Sequence, residues 1–155
     1  MRKIDIIVFY EHVNREYESV NEIKKTLASK GITSIVLPVH YNKYINLVLW
    51  QPKLIIMPFL YDKNIDLHLI YEKLYGKIEV VNLASEQILD SQSILSHLPK
   101  DSYSLNAIHC AWSNKYRDAL LKVGVKNKNI WLIGNPRIDA GLLVHPKREK
   151  KYILI

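Results

Sequence analysis

The chain has 155 residues, 48% hydrophobic and 24% charged, proportions of an ordinary globular domain that exclude a disordered or collagen-like chain. Its apolar runs fall far short of the roughly 20 residues of a helical membrane span; Asp5 breaks the apolar stretch a signal peptide would need, and the single cysteine, Cys110, excludes an internal disulfide and suits a reducing compartment. The net charge of +7 is lopsided, with 12 basic and 12 acidic side chains over residues 1–113 and 10 against 3 over residues 114–155.

Lys147, Arg148, Lys150 and Lys151 are the densest part of that excess. Such an end attracts an anionic lipid surface or a phosphorylated ligand, or serves as a solvated linker. No nucleic-acid-binding motif accompanies it, so nucleic acid is not an expected partner.

Along the chain, short apolar runs alternate with amphipathic stretches. Ile4 to Phe9 reads as a first strand, apolar enough to be covered on both faces as in a parallel sheet. Asn14 reads as the cap of a helix with Glu16 and Glu18 in its first turn, Val20, Ile23 and Leu27 on one face and Gly31 at its end. Ile32 to Leu37 is a second strand closed by Pro38, and Asn42 opens a short helix carrying Ile45, Val48 and Leu49. Leu54 to Met57 is a third strand. Leu67, Ile70, Tyr71 and Leu74 have the spacing of a buried helical stripe before Gly76.

Ile78 to Leu83 is a fourth strand. The stretch from Ser85 to Asn106 is consistent with a broken helix around Ile88, Leu95 and Leu98 and a turn at Pro99–Ser102. Ala107 to Trp112 is a fifth strand, Asn114 caps a helix with Tyr116, Ala119, Leu120 and Val123 on one face, and Ile130 to Ile133 is a sixth strand. Residues 139–144 suggest one more helical turn. Tyr152 to Ile155 reads either as the first strand of a further domain or as a tail or strand added to this sheet. The alternation predicts an α/β domain with a mostly parallel, Rossmann-like sheet of about six strands flanked by helices.

In such a sheet, ligands bind outside the carboxyl ends of the strands. Those ends carry Tyr10, Glu11 and His12, with Asn14 and Arg15 opening the helix; then Pro38 and His40; Pro58 and Phe59; Ser85, Glu86 and Gln87; Trp112 and Ser113; and Gly134, Asn135, Pro136 and Arg137. No glycine separates the first strand from its helix, and Glu11 would repel a phosphate, which argues against a dinucleotide or P-loop site. Glu11 and His12 either bind hydroxyls and orient a nucleophile or mark an ordinary helix start.

Glu86 either takes a proton from an attacking hydroxyl or stabilises the next helix. Arg137 offers a planar fork for phosphate or carboxylate, or pairs with Asp139. The six histidines lack metal-ligand spacing, although the topology could bring His12 and His40 together; no metal is expected. Cys110 reads as inert core. The tryptophans read as packing residues, with Trp112 near the rim and able to stack on a sugar.

Tyr10-Glu11-His12 with Arg15-Glu16, then Val81-Asn82-Leu83-Ala84-Ser85-Glu86-Gln87, then Ala111-Trp112-Ser113, then Ile133-Gly134-Asn135-Pro136-Arg137-Ile138-Asp139 occur in that order. The set resembles the N-terminal half of bacterial surface-carbohydrate (capsule and lipopolysaccharide) biosynthesis glycosyltransferases of GT-B type, related to CDP-glycerol glycerophosphotransferases. The resemblance spans essentially the whole chain, and Gly-Asn-Pro-Arg-x-Asp is its most specific part.

It implies that residues 1–144 form a Rossmann-like acceptor-side domain, with 145–155 a basic linker and the first strand of a C-terminal donor domain. The nucleotide-activated donor would bind that second domain, so no cofactor is expected in this one. Glu86 and Glu11 would be catalytic, and His12, Arg15, Gln87, Trp112, Asn135 and Arg137 would bind substrate. The acceptor would be a saccharide or lipid-linked molecule, and the protein cytoplasmic, with peripheral contact at the inner face of the cell membrane through its basic segment. This part alone would not transfer sugar. A sugar-nucleotide 2-epimerase-like domain, or a stand-alone non-catalytic α/β binding module, are the alternatives.

Overall fold

The computed structural model of the protein describes residues 3–60, 71–87 and 93–134. Six parallel strands form one sheet: β1 (Ile6–Tyr10), β2 (Ser34–Pro38), β3 (Leu54–Met57), β4 (Glu79–Asn82), β5 (Ile108–Ala111) and β6 (Ile130–Leu132), in the order β2-β1-β3-β4-β5-β6. The described helices are α1 (Val13–Ser29), α2 (Lys43–Trp50), α3 (Ser93–Ser96), α4 (Ser102–Asn106) and α5 (Asn114–Lys122), with residues 71–75 also helical. The expected Rossmann-like α/β fold is what the chain forms. No helix among the described residues is long and apolar enough to cross a membrane.

The alternation of side chains along β1 shows why both faces are covered. Ile7 and Phe9 pack with Ile55, Met57 and Leu47 of α2 on one face, while Ile6 and Val8 pack with Ile56 and Val20 of α1 on the other. A strand buried on both faces has no polar side to alternate, hence its continuous apolar run. β2 lies at the sheet edge, where Pro38 is tolerated because its missing N–H faces no neighbour on that side.

Several local expectations are corrected. His12, not Asn14, is the N-cap of α1, in extended conformation and without a side-chain cap bond. Ser113, not Asn114, caps α5, its Oγ accepting the Tyr116 N–H at 3.2 Å. Both shifts place the cap one or two residues earlier; before α5 the strand also ends one residue earlier than expected, at Ala111.

On α2, Ile45, Val48 and Leu49 are 55%, 40% and 52% exposed, and Leu47 is the residue driven into the core. α2 carries apolar residues around most of its circumference, so spacing alone does not choose the buried stripe. Tyr71 is buried, but Leu74 is 64% exposed and leaves the expected stripe, whose Leu67 and Ile70 lie outside the described residues. The uncertain stretch before β5 contains α4, capped by Asp101, which accepts the Tyr103 and Ser104 N–H groups at 2.8 and 2.9 Å. The expected turn and strand at 139–144 and 152–155 lie outside the described residues.

The strand order has a functional consequence. From β1 the chain moves outward to β2, then returns past β1 to β3 and continues in the opposite direction. The direction of the connections therefore reverses between β1 and β3, and the crevice outside the carboxyl ends of the strands at such a switch point is the usual ligand position in open α/β sheets.

Candidate functional site

Three loops deliver polar side chains to the carboxyl ends of the strands, and a fourth delivers Phe59. Glu11 leaves β1, His40 follows β2, and Phe59 follows β3. Glu86 follows β4 after a sharp turn, in which Asn82 Oδ1 accepts the Ala84 N–H at 3.0 Å and Pro58 O accepts the Ser85 N–H at 2.8 Å. Ala84 sits at φ +48°, a left-handed conformation that costs a residue with a Cβ about 1–2 kcal/mol. Strain of this kind persists where the surroundings over-determine it, and such places cluster at functional sites.

Arg15, on the first turns of α1, organises the group. Its Nε and Nη2 donate to Glu16 Oε1 at 3.0 and 2.8 Å, and Nη2 also donates to Glu11 Oε2 at 3.1 Å. Its Nη1 donates to Glu86 Oε1. One guanidinium thus gathers three carboxylates from two strand-end loops and a helix. Burial works against its charge, but Glu16 and Glu86 outweigh that effect and hold its pKa above the ordinary value.

Glu16 is only 2% exposed, and its other oxygen accepts the Glu11 N–H at 2.7 Å. This resembles a capping box displaced by one residue at each end, and it fixes the Glu11 backbone to the helix it precedes. Glu11 then reaches two imidazoles, with His40 Nε2 at 3.3 Å from its Oε1 and His12 Nε2 at 3.7 Å from its Oε2. The His40 ring lies against Phe59, with centroids 6.4 Å apart. The convergence of His12 and His40, only a topological possibility in the sequence, is therefore real and occurs around Glu11. Among the described residues, no group of three or more His, Cys, Asp or Glu side chains is arranged to hold a metal ion.

The structure brings together Glu11, His12, Arg15 and Glu86 of the expected site residues. Gln87 is occupied elsewhere: its Nε2 donates to Cys110 O at 2.9 Å and its Oε1 accepts the Trp112 N–H at 2.9 Å, so the amide joins the loop after β4 to the end of β5. Trp112 is partly buried, with an indole N–H that has no hydrogen-bond partner among the described residues. Asn135 and Arg137 lie outside the described residues. Cys110 is buried on β5, and burial pushes its thiol up to about 11, away from nucleophilic use.

In the sequence, Glu16 reads only as a first-turn carboxylate and His40 as a strand-end residue that topology could bring to His12, with neither paired to Glu11. The parallel pairing of β1 and β2, with Tyr10 opposite Pro38, is what makes the residues just beyond each strand neighbours.

A second opening, a cleft of about 380 Å³ between Glu72, Lys77, Glu79, Tyr103 and Asn106, adjoins the start of β4 rather than its carboxyl end. It lies at the opposite end of the strands from the switch point. The fold and the crevice together define an open, all-parallel α/β domain with an arginine-centred polar cluster at its topological switch point. No protein-family model, no curated protein and no solved structure matches this chain.

Proposed function

We propose that this domain is the acceptor-binding half of a glycosyltransferase, or of a related glycerophosphotransferase, acting in bacterial surface polysaccharide biosynthesis. The observation that carries the reading is the meeting of Glu11, Arg15 and Glu86 from separate elements at the strand ends. Partly exposed carboxylates at such a crevice suit sugar or glycerol hydroxyls, which donate hydrogen bonds to them. Glycine is absent between β1 and α1, and the carboxylates outnumber the arginine, which fits a hydroxyl-bearing acceptor better than a phosphate at this position. The activated donor belongs to a C-terminal domain, with the basic segment after residue 144 near a lipid-linked acceptor or the membrane's inner face.

In this reading the acceptor hydroxyl gives up its proton within the cluster, and Arg15 holds Glu11 and Glu86 at a set separation. The test is Glu86→Gln in the full-length protein, with transfer from UDP-sugars and CDP-glycerol followed directly. Turnover should fall about 10²-fold; unchanged turnover removes Glu86 from the site. Conversion of a UDP-sugar to its 2-epimer without acceptor would replace this reading by an epimerase.

A further inference from the structure

Within the cluster, the carboxylates are not equivalent. Glu86 is bound by Arg15 Nη1, and Glu16 is buried under the same guanidinium. Glu11 joins the guanidinium to an imidazole: Oε2 accepts from Arg15 at 3.1 Å while Oε1 faces His40 Nε2 at 3.3 Å. Its backbone is also pinned by Glu16 at 2.7 Å. His40 meets the carboxylate through Nε2, and its Nδ1 has no hydrogen-bond partner among the described residues. The ring rests on Phe59 and is 60% exposed at the mouth of the crevice.

We propose that Arg15, Glu11 and His40 form a relay in which His40 Nδ1 takes the proton of the acceptor hydroxyl. This rests on the transferase reading above and assigns its proton acceptor. The logic is that of an oriented base: a carboxylate that accepts one ring N–H fixes the tautomer, leaves the other nitrogen's lone pair free, and stabilises the imidazolium that forms. Glu11 is then a positioning residue, itself positioned by Arg15.

In the step, the hydroxyl O–H bond breaks and its proton goes to Nδ1. The acceptor oxygen bonds to the anomeric carbon of a nucleoside-diphosphate sugar. The bond from that carbon to the diphosphate oxygen breaks, and the electron pair leaves with the nucleoside diphosphate. The imidazolium, exposed at the rim, then returns its proton to water.

His12 is a built-in control, because its side chain is 59% exposed against 60% for His40, and it lies 3.7 Å from the same carboxylate. The first experiment is carbethoxylation of the folded protein by diethyl pyrocarbonate at neutral pH, mapped by mass spectrometry. His40 should react several-fold faster than His12, and Glu11→Gln should bring it down to the His12 rate. Equal rates in the wild type overturn the relay.

The second experiment is transfer from UDP-sugars by the full-length protein. His40→Gln should lower kcat about 10²-fold with KM little changed, and an unaltered kcat overturns the assignment. A wild type that transfers nothing overturns the transferase reading, and the hydroxyl with it. Carbethoxylation still reports in that case whether the relay exists, so the two failures are read separately.

Discussion

Two polar networks lie at the carboxyl end of this sheet, and they are built on opposite plans. Around β4 and β5, His109 is fully buried: its Nε2 donates to Ser104 O at 2.8 Å, and its Nδ1 meets the Asn82 amide at 3.2 Å. Asn82 in turn accepts from Ala84 N. Its members are uncharged, and each ring nitrogen has one partner. Around β1 and β2, the network is ionic, holds more carboxylates than its arginine neutralises, and ends in two half-exposed imidazoles. The sealed network satisfies its buried polar atoms. The open one keeps charge and lone pairs facing solvent, where a ligand can reach them.

The contrast can be broken most severely at Arg15. Arg15→Met leaves Glu16 charged, buried and unpaired, and should cost about 3 kcal/mol in urea denaturation. Adding Glu16→Leu should restore much of that loss, since a buried pair replaced by apolar groups of similar volume is often neutral. Additive losses would show that the pair is not the unit of stability.

The sealed network should respond to pH. Burial pushes the His109 imidazole below its ordinary 6.5, with the bond to Ser104 O opposing only part of the effect. The unfolded chain therefore takes up the proton first as pH falls through 6.5, and stability is lost from there toward the lower folded value, while above 6.5 the contribution is complete. Unfolding free energies from urea denaturation about one pH unit above and below that value should differ more for the wild type than for His109→Gln, by up to about 1 kcal/mol. Equal differences would mean that His109 does not carry the acid sensitivity. His109→Gln should itself cost about 2 kcal/mol at neutral pH by leaving buried partners unmatched.

The smallest effect is expected at the edge of the sealed network. Asp101 accepts from Tyr103 N, Ser104 N and Ser104 Oγ, the last at 2.6 Å. Burial alone would raise its pKa, but these bonds outweigh it and lower the value. Asp101→Ala should cost about 1 kcal/mol, the usual loss of an N-cap, by thermal unfolding, and should leave the Glu11–Arg15–Glu86 cluster intact.

Much of the architecture was legible beforehand, for a local reason. β1 and β3 are nearly continuous apolar runs because parallel strands are covered on both faces, and glycines follow two of the helices in left-handed turns, Gly31 at φ +73° after α1 and Gly124 at φ +104° after α5. The rule that ligands meet the strands' carboxyl ends also picked out Glu11, His12, Arg15 and Glu86, which the structure brings together. It could not separate them from Gln87, whose amide serves the backbone of β5.

What the amino-acid sequence determined by itself was the list of short-range elements, because periodicity and turn chemistry act over a few residues. Which strand lies beside which, and so which strand ends meet, depended on long-range pairing that no local pattern encodes. Only the order β2-β1-β3-β4 put His40 beside Glu11 and carried Glu86 across to Arg15, 71 positions away in the chain.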